Sequence, residues 1–439
     1  MKDGVRHLVA RLSDAWGALW GGVPAGRVYA YEARLDAGRS ASTRRLSFER
    51  IEAILDSARS GYITEALEMF AEMEARDARL KSVAAIRRLA LTGLDYEILS
   101  AAEGGAGMVD KSLADEAAAY VRETLSDLGG QFAQALEHLA TAIGPNLAVL
   151  EMVWENARPI ALVAIPNHRL TMDLQKSPHV RVITAGNAQG IETDGAKWVV
   201  HVPHAISGSP IDRSLAIAQV WIWLIKKLSL SDWATFCELF GMPLRIGKYR
   251  PAASPEEKRQ LSDMLKNLGS AGWAMVSEAS AIEFAESSQR TAGPYEAILN
   301  FCNREQAVLW LGGNLTSDTT GGTGTYGAAT VQNEVRADLR NDDIQREART
   351  VMGQIIGPMV AFKFPGRNVS LPIFRRVKPE TVDRIAEANL FRAAQAAGVR
   401  IPKAWAYKRL SIPEPANNEE SLEPVEAFVS GVAETETPE

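Results

Sequence analysis

From Phe48 to Leu91 apolar residues recur three and four apart. Leu67, Phe70, Met73 and Leu80 fall near one helical face, and Val83, Ile86, Leu89 and Ala90 continue the stripe. Gly93 predicts the helix end, after which Asp95-Tyr-Glu-Ile-Leu99 alternates as a strand does. Amphipathic helices are predicted over Lys111–Leu128, stopped by Gly129-Gly130, and over Phe132–Ile143. Between Leu147 and Val202 the period changes to two. Leu150, Met152 and Trp154 alternate with polar residues, and Ile160–Ile165 reads as a buried strand. Arg181–Thr184 and Lys197–Val202 read as two more, separated by the turn-rich stretch 185–190. The pattern predicts a helical face packed on a mostly antiparallel sheet.

Gly208-Ser-Pro210 opens a long helix from about Asp212 to Phe240. It is apolar almost all round between Leu215 and Leu228 and holds Trp221, Trp223, Trp233, Phe236 and Phe240. Such a helix in a soluble chain must be enclosed on several sides. A core helix and an oligomer interface both satisfy that demand. Gly241-Met-Pro243 ends it, and a small unit follows: a strand at 244–248, a helix from Pro255 to Leu268, a turn at 269–272, and strands at 274–276 and 281–284. A second long helix covers Pro294–Leu311. Then come sixteen residues, Gly312–Gly327, rich in Gly and Thr, a length that is uncommon for a loop without a function. A third long helix spans roughly Ala328–Ile356 and ends at Gly357-Pro358. Its outer face mixes signs (Glu334, Arg336, Asp338, Arg340, Asp342, Asp343, Arg346, Glu347) and reads as solvated. Residues 380–397 make the last predicted helix. Residues 1–45 read as a poorly anchored leader, and the Pro/Glu-rich stretch from Ile412 as disordered.

Composition changes this picture in three respects. The 439 residues are 46% hydrophobic, which supports a sizeable core and excludes a wholly disordered chain. Two cysteines, Cys237 and Cys302, argue against a disulfide scaffold or a Cys-built zinc site and fit a reducing compartment; both read as buried, inert thiols. The formal charge is −6, from 48 basic and 54 acidic residues. Eight of the glutamates follow Arg409 with no Lys or Arg among them, so 46 acids face 48 bases before it and residues 1–409 carry +2. A near-neutral body does not grip nucleic acid through a strongly basic surface. Nor is a membrane partner indicated. The apolar run Ser214–Ile225 is closed by Lys226 and Lys227, and twelve helical residues rise about 18 Å against a hydrocarbon core of about 30 Å. Lys2, Asp3, Arg6, Arg11 and Asp14 break any signal-peptide core.

The chemistry is sparse. The Gly-rich loop precedes a helix, but no Gly-Lys-[Ser/Thr] closes it and the preceding element is a helix, so a mobile loop fits better than a nucleotide site. His201-Val-Pro-His204 is the closest histidine pair, and residues three apart on an extended segment face opposite sides. No G-x-S-x-G elbow or H-E-x-x-H occurs, and the paired carboxylates sit at helix starts or on charged faces. No catalytic residue, metal ligand or cofactor site is assigned, and the expectation is that the chain is not an enzyme.

Two segments carry a resemblance: Phe240-Gly-Met-Pro-Leu-Arg-Ile-Gly-Lys248 and Leu309-Trp-Leu-Gly-Gly-Asn-Leu-Thr-Ser317. Supporting pieces occur in order, at Arg88-Leu-Ala-Leu-Thr-Gly-Leu94, Asn167-His-Arg169, Gly208-Ser-Pro210, Gly293-Pro-Tyr-Glu296, and Tyr326-Gly-Ala328 leading into Val331-Gln-Asn-Glu334. Over roughly residues 50–412 the chain resembles the portal proteins of Mu-type tailed bacteriophages and prophages. The resemblance implies an α+β portal fold: an α/β wing, long stem helices, a small α/β clip, a helical crown, and assembly into a ring. It implies the following division: a leader at 1–47, the wing at 48–205, stem helices at 206–240 and 294–311, and the clip at 241–293. A tunnel loop follows at 312–327, then a tunnel helix returning to the wing at 328–377, the crown at 378–412 and an acidic tail at 413–439. It also implies a self-assembled ring of about twelve at the capsid vertex of a virion, assembled in the bacterial cytoplasm. Double-stranded DNA would pass through without sequence preference. The other implied partners are the terminase large subunit, head-completion or adaptor proteins and the major capsid protein. Within that frame Thr316, Thr319, Thr320, Gly321, Gly322, Thr323, Gly324 and Thr325 are the candidate DNA-channel loop. Trp221, Trp223, Trp233, Phe236 and Phe240 are the candidate interface of the stem. The competing readings are a capsid-shell or scaffolding protein and a soluble hydrolase. The stem flanking a small α/β insertion favours the portal over the first, and the missing nucleophile–base pair disfavours the second.

Overall fold

Gly61, with φ of 101°, cuts the first predicted helical stretch, and Asp77 cuts it again. The result is α1 (Phe48–Arg59), α2 (Thr64–Arg76) and α3 (Ala78–Thr92). Asp77 sits in extended backbone between α2 and α3, and its carboxylate accepts the N–H groups of Arg79 and Leu80, satisfying donors that the first turn leaves open. The computed structural model describes residue 29 and residues 46–104, 110–173, 179–204, 209–240, 245–250, 252–267, 273–277, 293–313, 326–378, 384–410 and 412–415.

After α3 come β1 (Tyr96–Leu99), α4 (Lys111–Asp127) and α5 (Gly130–Ala140). The period-two region gives β2 (Ala148–Glu155), β3 (Arg158–Ala164), β4 (Leu170–Asp173), β5 (His179–Thr184), β6 (Asn187–Glu192) and β7 (Trp198–His201). Two of these differ from expectation. Leu170–Asp173 was not predicted, and the stretch expected to be a turn at 185–190 holds the start of β6. The strands form two antiparallel sheets, ordered β3-β2-β7 and β4-β5-β6.

β2 is buried on both faces, which the alternation of Leu150, Met152 and Trp154 alone did not reveal. Val149 joins a core with α1–α3, β4 and β5, whereas Ala148, Leu150 and Met152 join a second core with α4 and α5. Glu151 lies on the Val149 side and is fully buried there, 3.2 Å from Lys197 Nζ. Its two carboxylate oxygens accept the N–H of Tyr29 at 2.9 and 2.8 Å, and the Tyr29 ring stacks on Trp198. Tyr29, within the stretch expected to be a poorly anchored leader, is thus held against Glu151 and Trp198.

The long helices follow: α6 (Leu215–Phe240), then β8 (Arg245–Tyr249), α7 (Pro255–Asn267) and β9 (Trp273–Ser277), then α8 (Gly293–Leu311) and α9 (Tyr326–Thr350). β8 and β9 pair in parallel, with α7 as the crossover between them. The strand expected at 281–284 lies outside the described residues. The third long helix does not stop at Gly357-Pro358. A π-helical segment, Val351–Ile356, leads into α10 (Gly357–Lys363), where Pro358 occupies the first turn. Gln354 of the π segment bonds both the N–H and the C=O of Val200 and so covers part of the open edge of β7. β10 (Ile373–Arg376) closes this unit by pairing antiparallel with β1. The chain divides after Val377. The second unit holds α11 (Arg384–Ala396) and α12 (Lys403–Leu410), a helix beyond the one expected. Phe391 packs on Trp405, and Arg409 pairs with Glu387.

His201 supplies a pH test of this packing. It is buried at the end of β7, with Nδ1 2.7 Å from Thr350 Oγ1. Burial, with Arg346 and Arg349 adding to it, lowers its pKa from 6.5 to about 4. Between those values the unfolded chain binds a proton that the folded chain refuses. The contribution is therefore complete above pH 6.5 and lost as pH falls towards 4, a change of about 3 kcal/mol. Urea unfolding of wild type and His201→Asn across that window is expected to show a flatter acid dependence in the variant. Identical slopes would refute the assignment.

Candidate functional site: a helical hairpin and its polar anchor

α6 and α8 run antiparallel. Gln219 reaches Trp310, Lys226 reaches Gln306, and the Phe236 and Tyr295 rings meet 5.8 Å apart near the distal end. At about 1.5 Å per residue the two helices span about 39 and 28 Å. The half nearest the sheets is core, with Val220, Trp223, Leu224, Ala307, Trp310 and Leu311 buried. Beyond Lys226 the hairpin is mostly exposed, and it carries Leu228, Leu230, Ile298 and Phe301 in that state.

This gradient separates the predicted stem residues. Trp223 is 4% exposed and packed in the chain's own core, so it is unavailable to a neighbour, contrary to expectation. Trp221 is half-buried and stacks on Phe48 at 6.0 Å. Trp233 and Phe236 are half-buried on the distal part, and the Phe240 side chain lies outside the described residues. Cys302 is buried as expected, but Cys237 is exposed because it lies on the distal half.

Three buried polar clusters hold the long helices α6, α8 and α9 to the body. In the first, Lys226 Nζ donates to Asp77 Oδ1 at 2.7 Å and to Gln306 Oε1 at 3.2 Å, while Gln306 Nε2 donates to Asp77 Oδ2 at 2.8 Å. Burial pushes the Asp77 carboxyl up, but the bonds from Lys226, Gln306 and the Leu80 N–H together hold it below the usual carboxylate range. In the second, Arg87 forks onto Asp343 at 2.9 and 3.1 Å and donates to the Trp310 carbonyl. In the third, Arg376 forks onto Glu347 at 2.7 Å for both bonds and donates to the Leu94 carbonyl. Burial pushes the Glu347 carboxyl up, so its ionised form depends on that fork. Asp343 and Glu347 were expected on a solvated face. They are buried because α3 and β10 bring arginines to them across more than two hundred and about thirty residues of chain, respectively. Only Asp77 carried a sequence signal, an Asp directly before a helix.

Trp310 joins these clusters to the loop that follows. Its Nε1 donates to Gln219, and its ring packs so closely on Gly144 that a Cβ there would lie 2.9 Å from it. Two residues on, Gly312 has φ of 73° and meets α9, where a Cβ would lie 2.5 Å from Val335. Only glycine fits that crossing. The loop therefore leaves the body beside Val335, and α9 extends back past that level by about 14 Å to Tyr326. All eight predicted channel-loop residues, Thr316 to Thr325, lie outside the described residues.

Among the described residues no three His, Cys, Asp or Glu side chains group to hold a metal, and no helix is long and apolar enough to cross a membrane. His201 bonds Thr350 while the His204 N–H bonds Asn146, so the histidine pair serves packing. The arrangement is mechanical: a hairpin fixed at one end, bearing a small parallel α/β unit at the other.

A family model described as the portal protein of Mu bacteriophage matches residues 67–412. Mu-like prophage FluMu protein gp29 of Haemophilus influenzae is 27% identical over 382 residues, covering 84% of this chain and 71% of that protein. The portal protein of Escherichia phage Mu is 26% identical over 380 residues, covering 84% and 72%. A chain from the virion of a native gene transfer agent particle shares the fold with a TM-score of 0.50, at 14% identity, over 80% of this chain and 94% of its own.

Replacing Lys226 by Met leaves Asp77 buried without its cation. The expected cost is about 3–5 kcal/mol of unfolding free energy, measured by denaturant titration. A loss below about 1 kcal/mol, the range of exposed pairs, would show the cluster to be dispensable.

Proposed function

The chain belongs to the portal-protein family of Mu bacteriophage and is a phage-type portal protein, and from that premise we propose how its parts work. Copies of the chain close into a ring of about twelve at one capsid vertex, and double-stranded DNA enters and leaves through the ring. The observation that carries this reading is the hairpin of α6 and α8, whose distal half exposes Leu228, Leu230, Ile298 and Phe301. Apolar side chains on a slender two-helix projection need cover from neighbours, and a ring supplies it on both flanks. Trp221, Trp233, Phe236 and Phe240 belong to that stem interface, and Trp223 does not.

In the same reading residues 48–205 are the wing, facing the major capsid protein. The parallel α/β unit within 241–293 is the clip, where the terminase large subunit and head-completion proteins dock. Residues 312–327 are the tunnel loop, 328–377 the tunnel helix and its return, 378–412 the crown and 413–439 an acidic fringe. A loop whose one charged residue is Asp318 contacts DNA through Gly and Thr without neutralising phosphates, so the duplex slides. The protein works as a scaffold and conduit rather than an enzyme, and it resides in the virion after assembly in the host cytoplasm.

Electron microscopy of the purified full-length chain is expected to show rings of about a dozen subunits around a central hole. A monomer at all concentrations would sink the reading. Deleting Gly321–Gly324 is expected to leave rings intact but impair DNA packaging or retention in assembled particles, whereas normal packaging would remove the loop from the channel.

A further inference from the structure

α9 carries two unlike faces. Val331, Glu334 and Asp338 form an exposed ridge. Arg336 and Arg340 lie two residues further on, about 200° round the helix, and so point the opposite way. They flank a cleft of about 280 Å³ between α9, α3 and the end of α8, lined also by Ile86, Ala90 and Leu311. Neither guanidinium has an ion-pair partner among the described residues, and Arg340 Nε is shielded from solvent with no acceptor. Neighbouring arginines behave differently: Arg87, immediately beneath, is fully committed to Asp343 and the Trp310 carbonyl. A half-buried arginine pair left unpaired is costly within one chain.

Closing a ring of identical subunits requires a heterologous interface, two different patches on opposite sides that fit each other. The ridge offers two carboxylates beside an exposed valine, and the cleft offers two guanidinium groups among aliphatic side chains. We infer that the Glu334–Asp338 ridge of one copy docks into the Arg336–Arg340 cleft of the next. This rests on the ring proposed above and adds a specific contact to it, beside the root of the glycine-rich loop. The occupant is a second copy of this chain. The charges on the two faces are opposite.

Charge reversal tests it, with ring content read by native mass spectrometry at about 0.15 M salt. The Arg336→Glu/Arg340→Glu variant has two acidic faces and the Glu334→Arg/Asp338→Arg variant has two basic ones. Each alone is expected to lose ring by on the order of tenfold or more, with thermal unfolding of the monomer unchanged. Mixed in equal amounts, they are expected to form rings alternating strictly one to one, since every contact then joins opposite charges. The chain carrying all four reversals is expected to form rings by itself. Variants that ring alone as wild type does, including any whose only defect is in holding DNA, overturn the inference. Mixed rings of random composition overturn it too. A wild-type chain that never forms rings sinks both this contact and the ring, whereas unchanged variants of a ring-forming chain sink the contact alone.

Discussion

The arrangement of the long helices depends on α3, whose two ends are tied to them by buried charge. At its start Asp77 caps the helix with one set of lone pairs and holds Lys226 and Gln306 with the others. Near its end Arg87 clamps α9 through Asp343 and the last turn of α8 through the Trp310 carbonyl. Just beyond it, the Leu94 carbonyl receives Arg376, which grips Glu347. Each pair is paid for in desolvation, so these contacts add less to stability than to geometry. Apolar packing alone allows α6, α8 and α9 to slide or turn relative to the sheets. Directional contacts at the start of α3, near its end and just beyond it do not.

That bracket separates a fixed region from an exposed one. Below Lys226 the hairpin shares the core of the sheets; beyond it, apolar side chains stand in solvent. A portal protein has use for both. The clamped root sets where the hairpin leaves the body and where the chain crosses α9 at Gly312, and the proposed ring would cover the exposed flanks. α9 shows the same division along its length: Asp343 and Glu347 are consumed within the chain, while Glu334, Asp338, Arg336 and Arg340 have no ion-pair partner among the described residues.

Much of the framework was legible because it rests on local rules. Helical and period-two spacing located α4, α5, β2, β3, α6 and α8 to within a few residues, and Gly93 marked a helix end, whereas the break at Asp77 went unread. Misreadings arose where two codes overlap. Asn187–Glu192 carries turn residues yet pairs with β5, since tertiary pairing overrides weak local preference. Pro358 reads as a stop, yet it opens a new helical turn after the π segment. The charged run of α9 reads as solvated because its arginine partners are remote in sequence.

The sequence by itself determined the class of the protein: the alternation of helical and extended periods, an apolar stem pair around a small insertion, a glycine-rich loop, and motifs that fall in the order of a portal family. These are properties of spacing and residue type, which need no neighbour to be read. The tertiary structure decided which of those residues are already occupied. It placed Trp223 in the core, seated Tyr29 over Glu151, and paired Asp343 and Glu347 while giving Arg336 and Arg340 no ion-pair partner among the described residues. Whether a charge or a tryptophan serves the fold or a partner depends on what lies within a few ångströms, and that distance is set only when remote segments meet.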